Sequence, residues 1–221
     1  MAKIKSYVTP SRLYRYRSLI EFDRELDAIE NSYLYCSEYS RLNDPMEGLY
    51  GATARLRRSD DYKEYTRAIS NVKMRLGICS FSEVYDHELM WAHYADQFRG
   101  ICIAYDFYLL QKQLADEIVF VRMYYDETIP RVGLTTKRPE DIARRVLSQK
   151  NYRWLYEREW RMFALPGMVR YHDPQCVARV YLGFRMSKAH RKRILSRLNE
   201  LDIQTRTMSI DEYSMSFETP A

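Results

Sequence analysis

Between Leu13 and Ser18 aromatic and cationic side chains alternate, with Tyr14 and Tyr16 on one phase and Arg15 and Arg17 on the other. A period of two predicts a strand with one aromatic and one cationic face. From Glu21 to Glu30 the spacing lengthens, and Phe22, Leu26 and Ile29 recur as they would along one side of a helix. Tyr33 to Cys36 reads as a short strand. Ser40 to Gly48 is turn-like, since Pro45 confines Asp44 to extended conformations and Asn43 can bond its own backbone. Asp60 to Met74 predicts a charged surface helix. Leu76 to Ser82 is a compact apolar strand ending in hydroxyls, with Ser80 and Ser82 on one face.

Glu83 to Tyr94 reads as a loop and then a helix carrying Trp91, His93 and Tyr94 among apolar neighbours, which predicts His93 as a core histidine. His87 is six residues from His93, not the i, i+4 spacing of a helical metal pair, so no metal site is expected. Gly100 to Tyr105 and Ile118 to Tyr125 read as strands, separated by a helical turn with Leu109, Leu110 and Leu114. Thr128 to Arg138 is the best candidate for an exposed loop. Pro139 to about Lys150 predicts a helix with Pro139 in its first turn and Glu140 and Asp141 favourable at its N-terminus. Val177 to Phe184 is a strand, Lys188 onward a basic helix with an Ile194, Leu195, Leu198, Leu201 stripe, and Ile203 to Ile210 the last strand. Irregular interleaving of strands and helices predicts one α+β domain over residues 1–221, with a mixed or mostly antiparallel sheet flanked by helices.

The densest chemistry lies in Tyr152 to Phe163, an aromatic, β-prone run holding Glu157 and Glu159 one residue apart. As a strand it would place Glu157, Glu159 and Arg161 on one face and Arg158, Trp160 and Met162 on the other. In a helix the two acids would diverge by roughly 200°. Paired carboxylates beside Trp and Tyr can accept hydrogen bonds and stabilise a developing cation. The plain alternative pairs them with Arg158, Arg161 or other arginines on a solvated face.

Composition narrows these readings. The chain has 221 residues, 46% hydrophobic and 29% charged, enough for a full core. Its net charge of +5 is spread widely and does not by itself call for nucleic acid. The Lys188–Arg193 run is explained as a solvated helix face. Mean hydropathy is −0.53, and the sequence has no apolar run of spanning length. Met1–Ser6 lacks a secretory core, so a cytoplasmic protein without membrane partners is expected. Cys36, Cys79, Cys102 and Cys176 are isolated and expected as buried or partly buried free thiols. The 20 tyrosines suit half-buried strands or a wet cleft.

Four segments together resemble a bacterial domain-of-unknown-function family, number 2971. They are Leu13–Ser18, Leu42–Pro45 with Glu47, Leu89–Asp96 with Gly100, and Tyr156–Arg161. The order of motifs is also similar to the ADP-ribosyltransferase-like superfamily, which has a His or Arg on a first strand, hydroxyls or a Tyr in the middle, and a late Glu-x-Glu. That resemblance implies Arg15, with Tyr16 beside it, holding the ribose or phosphates of NAD as substrate, and Ser80 and Ser82 as the hydroxyl element. It implies Glu159 as the acid stabilising charge as nicotinamide leaves, Glu157 positioning or activating the acceptor, Tyr94 or Trp91 stacking on the nicotinamide, and His93 among the residues that bind NAD. Phe81 stands where a Thr would be expected, and whether Tyr94 or the serines form the middle element is open.

The expected activity is NAD-dependent ADP-ribosyl transfer to a protein or nucleic acid, or NAD hydrolysis. A toxin-like role in bacterial or phage defence is what families of this kind imply. Two rivals stand beside it. A metal-independent RNase-like toxin would use Arg15, Arg17, His93 and Glu159 around a phosphate. A non-catalytic binding protein would leave the polar motifs scattered on the surface. Oligomeric state is not legible.

Overall fold

The computed structural model describes residues 9–135 and 137–219. The opening Met1–Ser6, read above for the lack of a signal core, lies outside them. The protein is α+β with mostly antiparallel strands. It divides into two compact units, each assembled from separated stretches of chain. The first comprises the segment ending at Glu30, Glu83–Gln113, and the segment from His172; the second comprises Asn31–Ser82 and Leu114–Tyr171.

In the first unit, Arg12–Arg17 runs antiparallel to Ile101–Asp106, with Tyr16 opposite Cys102. Ile101–Asp106 pairs on its other side with Val177–Leu182. That strand continues through the helix Lys188–Glu200 into Thr205–Asp211, which lies parallel to it. A helix in the crossover is the usual way to join parallel neighbours. Ser187 Oγ caps the helix by accepting the His190 N–H at 3.1 Å. A hairpin then adds Ser214–Glu218, a strand not read from the sequence. The central strand is a five-residue buried run, Ile101 to Tyr105, as its unbroken apolar pattern predicts.

The second unit has an antiparallel sheet in the order Val119–Arg122, Glu159–Ala164, Gly77–Ser82, Tyr33–Glu38, Gly167–Arg170. Helices Tyr62–Arg75 and Pro139–Val146 pack together around Leu56, Ile69, Val132, Ile142 and Val146. Pro139 and the acidic Glu140 and Asp141 occupy the first turn, as expected. Ile69 is fully buried and Lys73 nearly so, which makes Tyr62–Arg75 more than the surface helix its charge implied.

Several boundaries differ from the sequence reading. Tyr152–Glu157 is a 3₁₀ helix and not the start of a strand. Asn151 accepts the Arg153 N–H at 3.1 Å, and the turn ends at Arg158 in the left-handed region, φ 43°. Local capping thus overrides the β-propensity of Tyr, Trp and Leu. Ile118–Tyr125 is two strands broken at Met123; the second, Tyr124–Asp126, pairs in parallel with Gln149–Asn151. That pairing also stops the preceding helix at Val146, four residues before Lys150. The Thr128–Arg138 loop contains a short strand, Arg131–Val132, parallel to Gly51–Ala52, and buries Val132. All four cysteines are buried free thiols. Among the described residues no helix is long and apolar enough to cross a membrane.

Candidate functional site

The densest polar cluster is inside the second unit and consists of Glu47, Lys150, Glu157, Glu159 and Arg161, each no more than 5% exposed. Three short local structures deliver these side chains. Asp44 and Pro45 form a turn in which Asp44 Oδ1 accepts the Met46 N–H at 2.9 Å. The Glu47 carbonyl accepts the Tyr39 hydroxyl at 2.9 Å, and the next carbonyl, of Gly48, accepts the Lys73 ammonium at 2.6 Å. Lys150 sits mid-strand in Gln149–Asn151. Glu157 ends the 3₁₀ helix and Glu159 opens the next strand.

The two acids therefore do converge, but through the left-handed turn at Arg158 and not by strand alternation. Lys150 Nζ lies 2.6 Å from Glu157 Oε2, 3.3 Å from Glu159 Oε2 and 3.2 Å from Glu47 Oε1. The Trp154 ring lies under the same ammonium at 4.8 Å. Arg161 Nε donates to Glu159 Oε1 at 2.8 Å, Nη1 to the Leu147 carbonyl at 2.7 Å, and Nη2 to Glu47 Oε2. Three carboxylates and two cations leave one negative charge in excess. The expected arginine pairing is present, but it is buried and not on a solvated face.

Burial by itself would raise the Glu159 pKa; the neighbouring Arg161 and Lys150 charges outweigh it and hold the carboxyl well below the usual range. Burial would likewise lower Lys150, and Glu159, Glu47 and Glu157 together raise it. Arg161 is raised against its own burial by Glu159 and Glu47. All of these charges are stabilised by partners and cannot be removed singly at small cost.

Strand pairing sets the hydroxyls beside the acids. Glu159 is opposite Ser82 and Arg161 opposite Ser80. Ser80 is exposed, and its hydroxyl helps to hold the Glu159 carboxyl below the usual range. Ser82 is buried and donates to the Glu157 carbonyl at 2.7 Å. The Glu159 N–H donates to the Tyr125 hydroxyl at 2.8 Å, a residue whose own pKa burial pushes up. Ser80 thus lies where solvent reaches the edge of an otherwise enclosed network.

The remaining candidates belong to the first unit. Arg15 is half-buried on the face where Arg17 grips Glu25 at 2.6 and 2.5 Å, and Arg15 helps to lower the Glu25 pKa against its burial. Tyr16 is buried, and its hydroxyl donates to the Val84 carbonyl at 3.0 Å. Trp91 is fully buried, edge-on to Tyr16 and donating to the Tyr85 carbonyl at 2.7 Å; it is a core residue here and offers no face to a nicotinamide. His93 is exposed, which corrects its reading as a core histidine: its helix turns that face to solvent, while Met90 and Trp91 face inward. Tyr94 is half-buried beside it. His87 caps that helix, its Nδ1 accepting the Leu89 N–H at 3.3 Å.

Sequence reasoning missed Lys150 altogether and used Glu47 only as part of a motif. The one signal for Lys150 was a lone lysine two residues before an aromatic run containing two acids.

Fold and site define an α+β protein built around a buried, carboxylate-rich ionic network. Residues 90–162, about a third of the chain, match the family described as a protein of unknown function, DUF2971. The Met90–Asp96 and Tyr156–Arg161 segments fall inside that match and bear out the family resemblance there, while Leu13–Ser18 and Leu42–Glu47 fall outside it. No curated protein and no solved structure matches the chain.

Proposed function

We propose that the protein breaks the N-glycosidic bond of NAD and passes the ADP-ribosyl group to a macromolecular acceptor or to water. One observation carries this reading: Ser80 is exposed on the strand paired with that of Glu159, and its hydroxyl helps to keep this buried carboxyl ionised, so a group that solvent reaches acts on an ionised acid of the network. Glu159 accepts hydrogen bonds from the ribose and stabilises positive charge at C1′ as the C1′–N bond breaks. Nicotinamide leaves neutral, taking the bonding pair. A nucleophile then bonds to C1′ and loses its proton. The single excess negative charge of the network favours a cation beside it, in a setting where water screens poorly. Glu157 orients Lys150 and, through it, Glu159. A toxin-like defence role is the setting proposed for such an activity.

The test is nicotinamide release from NAD by the purified protein, with and without cell extract, for wild type, Glu159→Gln and Ser80→Ala. Because Glu159 is part of the folded core, melting temperatures accompany the rates. The reading expects wild-type release, loss of about a hundredfold or more in Glu159→Gln, and a smaller loss in Ser80→Ala with an unchanged melting temperature. A folded wild-type protein that releases none under either condition refutes it.

A further inference from the structure

The second unit also holds a narrow cleft of about 60 Å³, to which Asp44, Glu47, Asp126, Glu127 and Lys150 contribute. Its volume is about that of two water molecules, enough for a charged side-chain head and its last methylene. We infer that this cleft is a docking site for a lysine or arginine side chain of a partner protein, presented between apolar neighbours. The inference stands apart from NAD chemistry, since binding alone tests it.

Three observations carry it. Four of the ionisable groups lining the cleft are acidic and one is basic, so a cation is favoured over an anion or a neutral group. Glu47 is 3% exposed, and its Oε1, although 3.2 Å from the Lys150 ammonium, accepts no hydrogen bond. A buried carboxylate oxygen held by charge alone, with no aligned donor, has room for one more. Asp126 is fixed and kept ionised by the Thr128 N–H at 2.9 Å, the Thr128 hydroxyl at 3.0 Å and the Tyr124 hydroxyl at 3.1 Å.

A further observation selects the source of the cation. Met46, Leu49 and Ile129 line the same cleft and are 59%, 50% and 53% exposed. Three large apolar side chains left in water beside an acidic slot are of use to a ligand with apolar flanks. A free amine or a metal ion would leave them uncovered. A peptide segment with a Lys or Arg between leucines covers them and sends its charged end to Glu47.

The experiment is fluorescence anisotropy on the full chain. The probe is a dye-labelled heptapeptide with a central lysine between leucines, compared with its arginine and norleucine counterparts and with n-butylamine as competitor. The inference expects the lysine and arginine peptides to bind and the norleucine peptide to bind about tenfold or more weakly. Glu127→Lys and Ile129→Asp, both at exposed positions, are expected to weaken the lysine peptide by about tenfold each while melting as wild type does. The amine should compete only at roughly a hundredfold higher concentration than the peptide. Equal binding of the norleucine peptide, equal competition by the amine, insensitivity to both substitutions, or no binding at all overturns it.

Discussion

Arg161→Met is the sharpest test of the ionic network. The guanidinium is 1% exposed and engages Glu159 through Nε and Nη2, Glu47 through Nη2 and the Leu147 carbonyl through Nη1. Methionine keeps much of the aliphatic stem and removes every donor. Lys150 remains as the only cation in the cluster, so its excess charge goes from one negative to two. Removing one partner of a buried pair costs about 3–5 kcal/mol, and stranding the Leu147 carbonyl adds about 1 kcal/mol, partly offset by the apolar side chain. The expected loss is about 4 kcal/mol, seen as a urea midpoint lowered by about 1.5–2 M in circular dichroism.

Acid makes the argument more specific. In the wild type the Glu159 pKa is depressed on folding, so its contribution is fully present above the unfolded carboxylate value of about 4 and is lost as pH falls through that value toward the folded one. Without Arg161, burial dominates and raises the carboxyl, so protonation relieves the folded mutant as pH falls from 7 toward 5. The gap between wild type and mutant therefore narrows on acidification. A loss under about 1.5 kcal/mol at pH 7, or a gap that does not change between pH 7 and 5, refutes the network as described.

Two further predictions concern the elements that hold it. Arg158 is exposed with φ 43°, so Arg158→Gly should change stability by less than about 1 kcal/mol, whereas Arg158→Val should cost about 2 kcal/mol in the same urea titration. Lys73 is buried, donates to the Gly48 carbonyl and lies 4.6 Å from the Tyr39 ring; its pKa is lowered by burial. Lys73→Met should cost about 1–2 kcal/mol. A lysine whose folded pKa is depressed adds stability as pH rises from that value to its unfolded value near 10.4. The wild-type advantage over Lys73→Met should therefore grow between pH 8 and 10, and a constant difference would contradict the assignment.

What was legible in the sequence follows from how local each signal is. The Ile101–Asp106 strand announces itself because every position from Ile101 to Ala104 is apolar and Tyr105 is buried with them. Pro139 with Glu140 and Asp141 marks a helix start through effects confined to one turn. The 3₁₀ turn at Tyr152–Glu157 was illegible because its cause is a single Asn151 cap plus an ion pair from Lys150 to Glu157, set against a run whose Tyr152, Trp154 and Tyr156 favour a strand. Trp91 and His93 show the same limit from the other side. Their helix is apolar on average, but it is too short for periodicity to say which of two residues faces inward. Glu47 reaches Arg161 over 114 residues of sequence, a pairing that no local pattern encodes.

The network also constrains any chemistry at Glu159. Each cation that keeps this carboxylate ionised also weakens the field it can apply to a cation beside it. With equal numbers of acids and bases the two effects would cancel, and Glu159 would be a structural anion only. The third carboxylate breaks that balance. Glu47 occupies Arg161 and shares Lys150 with Glu157, so Glu159 stays ionised while the cluster keeps one negative charge uncompensated. Ser80, exposed on the neighbouring strand and helping to keep the same carboxylate ionised, is a group beside Glu159 that a ligand can displace without opening the core. Holding and chemistry thus separate by residue: loss of Arg161 should cost stability before anything else, and loss of the Ser80 hydroxyl should leave stability intact.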